Sequence, residues 1–103
     1  LEAPEPTRTV DEVMNDPSSY LDREIAVRGE IVDGSINSTQ NEFQLHGSLH
    51  SLRIDYMDAS VSNGLGDNRT VYAQGILNYI DGEYVLEAQI IKTSCPSKYE
   101  EES

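Results

Sequence analysis

Residues 70–92 read TVYAQGILNYIDGEYVLEAQIIK. Apolar and polar residues alternate through TVYAQGILNY and again through EYVLEAQIIK, and β-branched and aromatic side chains dominate both runs. Strict alternation puts every second side chain on one face, the pattern of a half-buried strand. Between the runs lies Ile80-Asp81-Gly82-Glu83, and Asp-Gly between two alternating segments is a strong signal for a two-residue hairpin turn. The stretch therefore predicts two long antiparallel strands. Gly75 falls inside the first of them, where a glycine marks a bulge or a sharp bend.

Upstream the same period recurs. EIAVRGEIV, residues 24–32, alternates and holds a second interior glycine, Gly29, before Asp33-Gly34-Ser35 turns the chain. NEFQLHG and SLHSLRIDY, split at Gly47-Ser48, predict another hairpin, and SNGLGDN at 62–68 reads as a glycine-rich loop. Only TVDEVMNDP, residues 9–17, departs from the two-residue period. Thr9 with Glu12 three residues later fits a capping box, Val10, Val13 and Met14 share one helical face, and Pro17 stops the helix after about two turns. Five bent strands with one short helix leave no room for a βαβ crossover. The expected fold is all-β: a five-stranded OB-fold barrel with a short N-terminal helix and a flexible C-terminal tail. Residues 1–8, LEAPEPTR, read as a linker, 9–92 as the barrel domain and 93–103 as the tail.

The chain has 103 residues, enough for one small domain with one core. Its formal charge is −12, from 19 acids against 7 bases, and such a surface repels nucleic-acid phosphates and anionic membranes. No apolar run reaches the roughly 18 residues of a membrane span, and no signal peptide is visible. The first residue, Leu1, reads as the start of a fragment whose leader or anchor lies upstream.

The tail, TSCPSKYEE at 93–101, holds the one cysteine of the chain. Cysteine is usually a small buried hydrophobe. The neighbours of Cys95 are Thr93, Ser94, Pro96, Ser97 and Lys98, which make no core. An exposed thiol is a few per cent thiolate at neutral pH, enough to react, although an incidental thiol that dimerises in air fits the spacing as well. Tyr99, four residues on, has nothing apolar to pack on, and a phenolate is a hard anion suited to ferric haem iron. His46 and His50 lie four apart across a turn and read as surface residues sooner than as metal ligands. Asn37-Ser38-Thr39 and Asn68-Arg69-Thr70 fit the glycosylation pattern, which arises often by chance. No nucleophilic triad, paired-carboxylate signature or phosphate-cradling motif is present, so no enzymatic activity is expected.

The order of these pieces resembles CcmE, the haem chaperone family of cytochrome c maturation. The resemblance covers nearly all of residues 9–101. TVDEVMNDPSSYLDREIAVRGEIVDGS resembles the segment that leads into the barrel and ends in Gly34-Ser35, Phe43 opens the next strand, Tyr56 closes the third, and VYAQGIL matches the fourth. Most specific is LEAQIIKTSCPSKY, with Cys95 where the family's haem-bonding histidine sits and Tyr99 where its iron-ligating tyrosine sits, as in a branch that carries cysteine for histidine. Two places differ: the first-strand arginine is Arg28, directly before Gly29, and the loop at 62–67 lacks the family's Pro-Asp-Leu-Phe.

The resemblance implies a haem chaperone that binds b-type haem covalently and transiently, through Cys95 as attachment residue and Tyr99 as axial ligand of the iron. It implies partners among the membrane proteins that load and withdraw haem, apocytochrome c indirectly, and no nucleic acid. It also implies a single-pass membrane anchor, with a monomeric domain on the periplasmic or extracytoplasmic side. Two other readings stand beside it: an OB-fold module for oligosaccharide, peptide or single-stranded nucleic acid, and a structural domain that dimerises through Cys95.

Overall fold

The computed structural model of the chain describes residues 6–62 and 64–93. The element order is β1 (Thr7–Thr9), α1 (Val10–Asn15), a 3₁₀ turn (Pro17–Tyr20), β2 (Glu24–Ile31), β3 (Glu42–His46), β4 (Ser51–Asp55), β5 (Ser60–Ser62), β6 (Thr70–Ile80) and β7 (Glu83–Thr93). Strands β2, β3, β4, β7 and β6 form a closed ring. All its neighbours are antiparallel except β4 and β7, which run parallel. This is the expected five-stranded OB barrel, entered by a short helix.

The long hairpin is built as its residues dictate. Asp81 and Gly82 both take positive φ, 53° and 82°, the backbone a two-residue turn needs to match strand twist. Opposite Gly75 the register slips: Gly75 pairs with Ala88, but Gln74 pairs with Ile90, so Gln89 bulges out. A Cβ on Gly75 would lie 2.1 Å from the Glu87 carbonyl oxygen and 2.7 Å from Ala88 Cα, so only glycine admits this approach of two backbones. The bulge also changes which side chains face inward on β7. Leu86 and Ala88 are buried before it, Ile91 and Thr93 after it.

Strands β2 and β7 each give one whole edge to β6 and divide the other. β2 pairs with β1 over Ala26–Arg28 and with β3 over Glu30–Ile31. β7 pairs with β4 over Val85–Glu87 and with β5 over Ile90–Lys92, the change of partner falling at the bulge. Neither β1 nor β5 was expected. Thr7 and Arg8, read from sequence as the end of the linker, belong to β1. Both added strands are short and polar, and each covers backbone groups that the closed ring leaves open.

Inside the ring, Ile25, Val27, Ile31, Phe43, Leu45, Leu52, Ile54, Val71, Ala73, Leu77, Leu86 and Ile91 are fully or almost fully buried. α1 closes one end. Its six residues are too few to hold a helix alone. The Thr9–Glu12 capping box forms in both directions, at 3.1 and 2.8 Å. Val10 and Val13 join the core, each contributing roughly 1.5–3 kcal/mol by burial. Asp11, between them, accepts hydrogen bonds from the backbone N–H groups of Ser48, Leu49 and His50 at 2.9–3.2 Å, tying the helix to the turn between β3 and β4. The Leu49 N–H is the largest influence holding the Asp11 carboxyl below the ordinary aspartate value of 3.8. Burial opposes it, and the N–H groups of Ser48 and His50 and the His50 charge add to it.

Two outcomes are expected. Gly75→Ala places a methyl group against backbone that cannot swing aside. It should destabilise the barrel by about 3 kcal/mol, lowering the thermal midpoint by more than about 10 °C. A midpoint within about 2 °C of the parent in a calorimetric scan would refute the close-approach account. Because the folded Asp11 is the stronger acid, its anchoring acts above the unfolded aspartate pKa of about 3.9 and fades as pH falls through the lower folded value. The stability gap between the parent and Asp11→Asn, from urea titrations, should be full at pH 6 and narrow progressively below about pH 4.

Candidate functional site

The described chain ends where the expected chemistry begins. Thr93, the last residue of β7, is buried, and its hydroxyl donates to the Ser62 carbonyl of β5 at 2.9 Å. Cys95 and Tyr99 lie outside the described residues, as does all of the expected tail except Thr93, which was read as its first residue and instead belongs to β7. What the structure shows is the surface at the root of that tail.

On the outer face, the register sets Thr9, Arg28, Tyr72, Lys92 and Ser62 in one row across β1, β2, β6, β7 and β5. The next row holds Thr7, Ala26, Gln74, Ile90 and Ser60. Cross-strand partners share a face, so Arg28 and Lys92 flank Tyr72 on either side. The Lys92 ammonium lies 5.7 Å from the centre of the Tyr72 ring, within cation–π range. The Tyr72 hydroxyl donates to Gln74 at 3.1 Å, and Gln74 in turn donates to Glu24, which fixes the ring from its far end. Ile90 is 36% exposed beside them.

The other described cations are engaged elsewhere. Arg8 and Arg23 lie over Tyr20, at 5.1 and 5.6 Å from its ring centre, and Arg53 bridges Glu42 and Glu83 at 3.2 Å each. Arg69 also has a bonding partner. Among the described residues, no ion pair occupies Arg28 or Lys92. An aromatic ring between two such cations, with an exposed isoleucine alongside, suits a flat apolar ligand that carries negative charge on its rim.

A groove of about 430 Å³ opens between this row and α1, lined by Asp11, Arg28, Glu30, His46 and Ser48 among others. Asp11 is committed to the β3–β4 turn, and Glu30 faces His46 at 3.7 Å. Ring Nδ1 of His46 is 3.0 Å from the Gly47 carbonyl, while His50 closes the same turn by accepting from the Gly47 N–H at 2.9 Å. Among the described residues no three His, Cys, Asp or Glu side chains come together as a metal site. Asn37 and Asn68 are both exposed, Asn37 in an isolated bridge to Glu42 and Asn68 in a turn at a φ of 64°. No described helix is long and apolar enough to cross a membrane.

Arg28, Tyr72, Lys92 and Ile90 escaped sequence reading as a group. The signal that would have joined them is the bulge. An unbroken ladder from the Asp81-Gly82 turn would set Tyr72 opposite Ile91 and turn Lys92 with Val71 toward the interior.

Similar folds occur in unrelated settings. The hypothetical protein ygiW of E. coli superposes with a TM-score of 0.62 at 17% identity, over 91% of this chain and 100% of that one. Telomere capping protein Ten1 of Saccharomyces pombe gives 0.61 at 9%, over 96% and 93%. A chain provisionally described as an aspartyl-tRNA synthetase from Leishmania major Friedlin gives 0.66 at 11%, over 90% of this chain, which spans 21% of that one. At these identities the likeness is one of fold alone. Among curated protein sequences none matches this chain. The CcmE domain family model matches residues 6–102, nearly the full length. With this match over an OB barrel, the chain belongs to the CcmE domain family, the haem chaperones of cytochrome c biogenesis.

Proposed function

We propose that this chain is a carrier that binds haem covalently through Cys95, ligates its iron through Tyr99, and hands it on to apocytochrome c through the maturation machinery. The observation that carries the reading is the family match through residue 102, which takes in both tail residues, on a barrel that ends at Thr93. Two residues of chain reach about 7 Å, so Cys95 can act only close to the root of β7 and the face described above.

The chemistry follows from the side chains. The Cys95 thiolate adds across a haem vinyl group. The Sγ–C bond forms, the vinyl π bond breaks, and the second vinyl carbon takes a proton, so the step needs no oxidant. A covalent tether prevents loss by diffusion without deep burial, which would slow release. The Tyr99 phenolate matches ferric iron better than ferrous, so reduction of the iron favours release. In this reading the chain belongs to the branch that carries cysteine in place of histidine. Its setting in this reading is the periplasmic or extracytoplasmic side of the membrane, held by an upstream anchor, as a monomer. The charge of −12 argues against the nucleic-acid alternative.

Each tail residue has its own expected readout. After co-expression with haem supply and the maturation proteins, mass spectrometry should find a haem-sized adduct that survives denaturation. Cys95→Ser should abolish it, since a hydroxyl is a far weaker nucleophile at neutral pH, while changing barrel stability by less than about 0.5 kcal/mol. Covalent haem on the serine variant would remove Cys95 from this role. Tyr99→Phe should still form the adduct but shift the ferric absorption spectrum as another ligand replaces the phenolate. An unchanged spectrum would show that Tyr99 is no ligand.

A further inference from the structure

We infer that Arg28 and Lys92 are the residues that grip the two haem propionates, with Tyr72 and Ile90 as the apolar floor between and beside them. The inference rests on the haem-carrier reading and adds to it the barrel's own part in binding. Four observations carry it. The two cations stand in one cross-strand row on either side of Tyr72, so their backbones are two strand spacings, about 10 Å, apart. Among the described residues neither is held by an acid, in a chain with 19 acids and 7 bases. The aromatic ring between them is fixed through Gln74 and Glu24, so it offers a pre-set surface. Finally, Lys92 stands three residues before Cys95, which puts this row beside the attachment point.

Haem carries both propionates on one edge and its vinyl groups away from that edge. Pairing the propionates with the barrel therefore leaves the vinyl edge for Cys95. Docking replaces the Lys92–Tyr72 contact by an ammonium–carboxylate pair and lays the porphyrin on the vacated ring. Arg28 supplies a planar fork suited to a carboxylate.

The test is a titration of ferric haem into the Cys95→Ser chain, followed by the haem absorption band, with and without the pair Arg28→Gln and Lys92→Gln. Circular dichroism verifies that each variant folds. The paired substitution should weaken binding roughly tenfold or more and flatten its dependence on salt. Arg53→Gln, which removes a positive charge elsewhere on the barrel, should stay within about twofold of its parent, separating local contacts from overall charge. Equal affinity with and without Arg28 and Lys92, or an equal loss with Arg53→Gln, overturns the assignment while leaving the carrier reading intact. Covalent haem on the native chain with no binding by the Cys95→Ser chain also overturns it, because the barrel face then holds nothing by itself. A native chain that takes up no haem in either form would bring down the carrier reading, and this inference with it.

Discussion

The near-contact of two backbones at Gly75 governs the rest of the molecule. β6 is the strand on which both long neighbours lean, and it reaches β7 closely enough to slip the register because residue 75 has no side chain. The slip expels Gln89 and lets β7 change partner, from β4 before the bulge to β5 after it. A straight β7 would carry one parity of side chains into the core along its whole length. The bent strand offers Leu86 and Ala88 to the core, then Ile91 and Thr93, and turns Ile90 and Lys92 outward.

Closing a ring of five strands leaves short lengths of β2 and β7 unpaired, because β3 and β4 each cover only part of an edge. β1 and β5 fill those lengths. They bring almost no apolar surface, so their contribution is backbone hydrogen bonding and protection of the edges. β1 leads directly into α1, whose Val10 and Val13 enter the core while Asp11 binds the β3–β4 turn. One end of the barrel is thereby shut by a helix that would not exist in isolation. β5 holds the end of β7 through the Thr93–Ser62 hydrogen bond. The chain thus leaves the barrel from a fixed point.

Charge is distributed with the same economy. In so acidic a chain, two arginines lie over Tyr20 and a third bridges two glutamates, in structural positions. The row at the root of the tail places one further arginine, Arg28, and a lysine, Lys92, around an aromatic ring on the open face. Long-range repulsion by the acidic surface disfavours polyanions, whereas a small ligand with two carboxylates needs only the local pair.

Much of this protein was legible in its residues. The period of two, the Asp81-Gly82 turn, the Thr9–Glu12 box and the interior glycines each act over a few neighbouring residues, and so reveal the barrel's main strands and its helix. Cys95 and Tyr99 stood out only through the resemblance to the family, since their spacing alone fits an incidental thiol as well, and they lie outside the described residues. β1 and β5 were not legible, because short polar strands are selected by whichever edge is left open, and that is known only once the ring has closed. The Arg28–Tyr72–Lys92 row was hidden for a related reason. Its members are distant in sequence and meet only after the bulge opposite Gly75 has moved Lys92 from the inner face to the outer one. Local patterns thus determined which segments become strands, while the register between strands, a property of the closed barrel, decided which side chains share a surface.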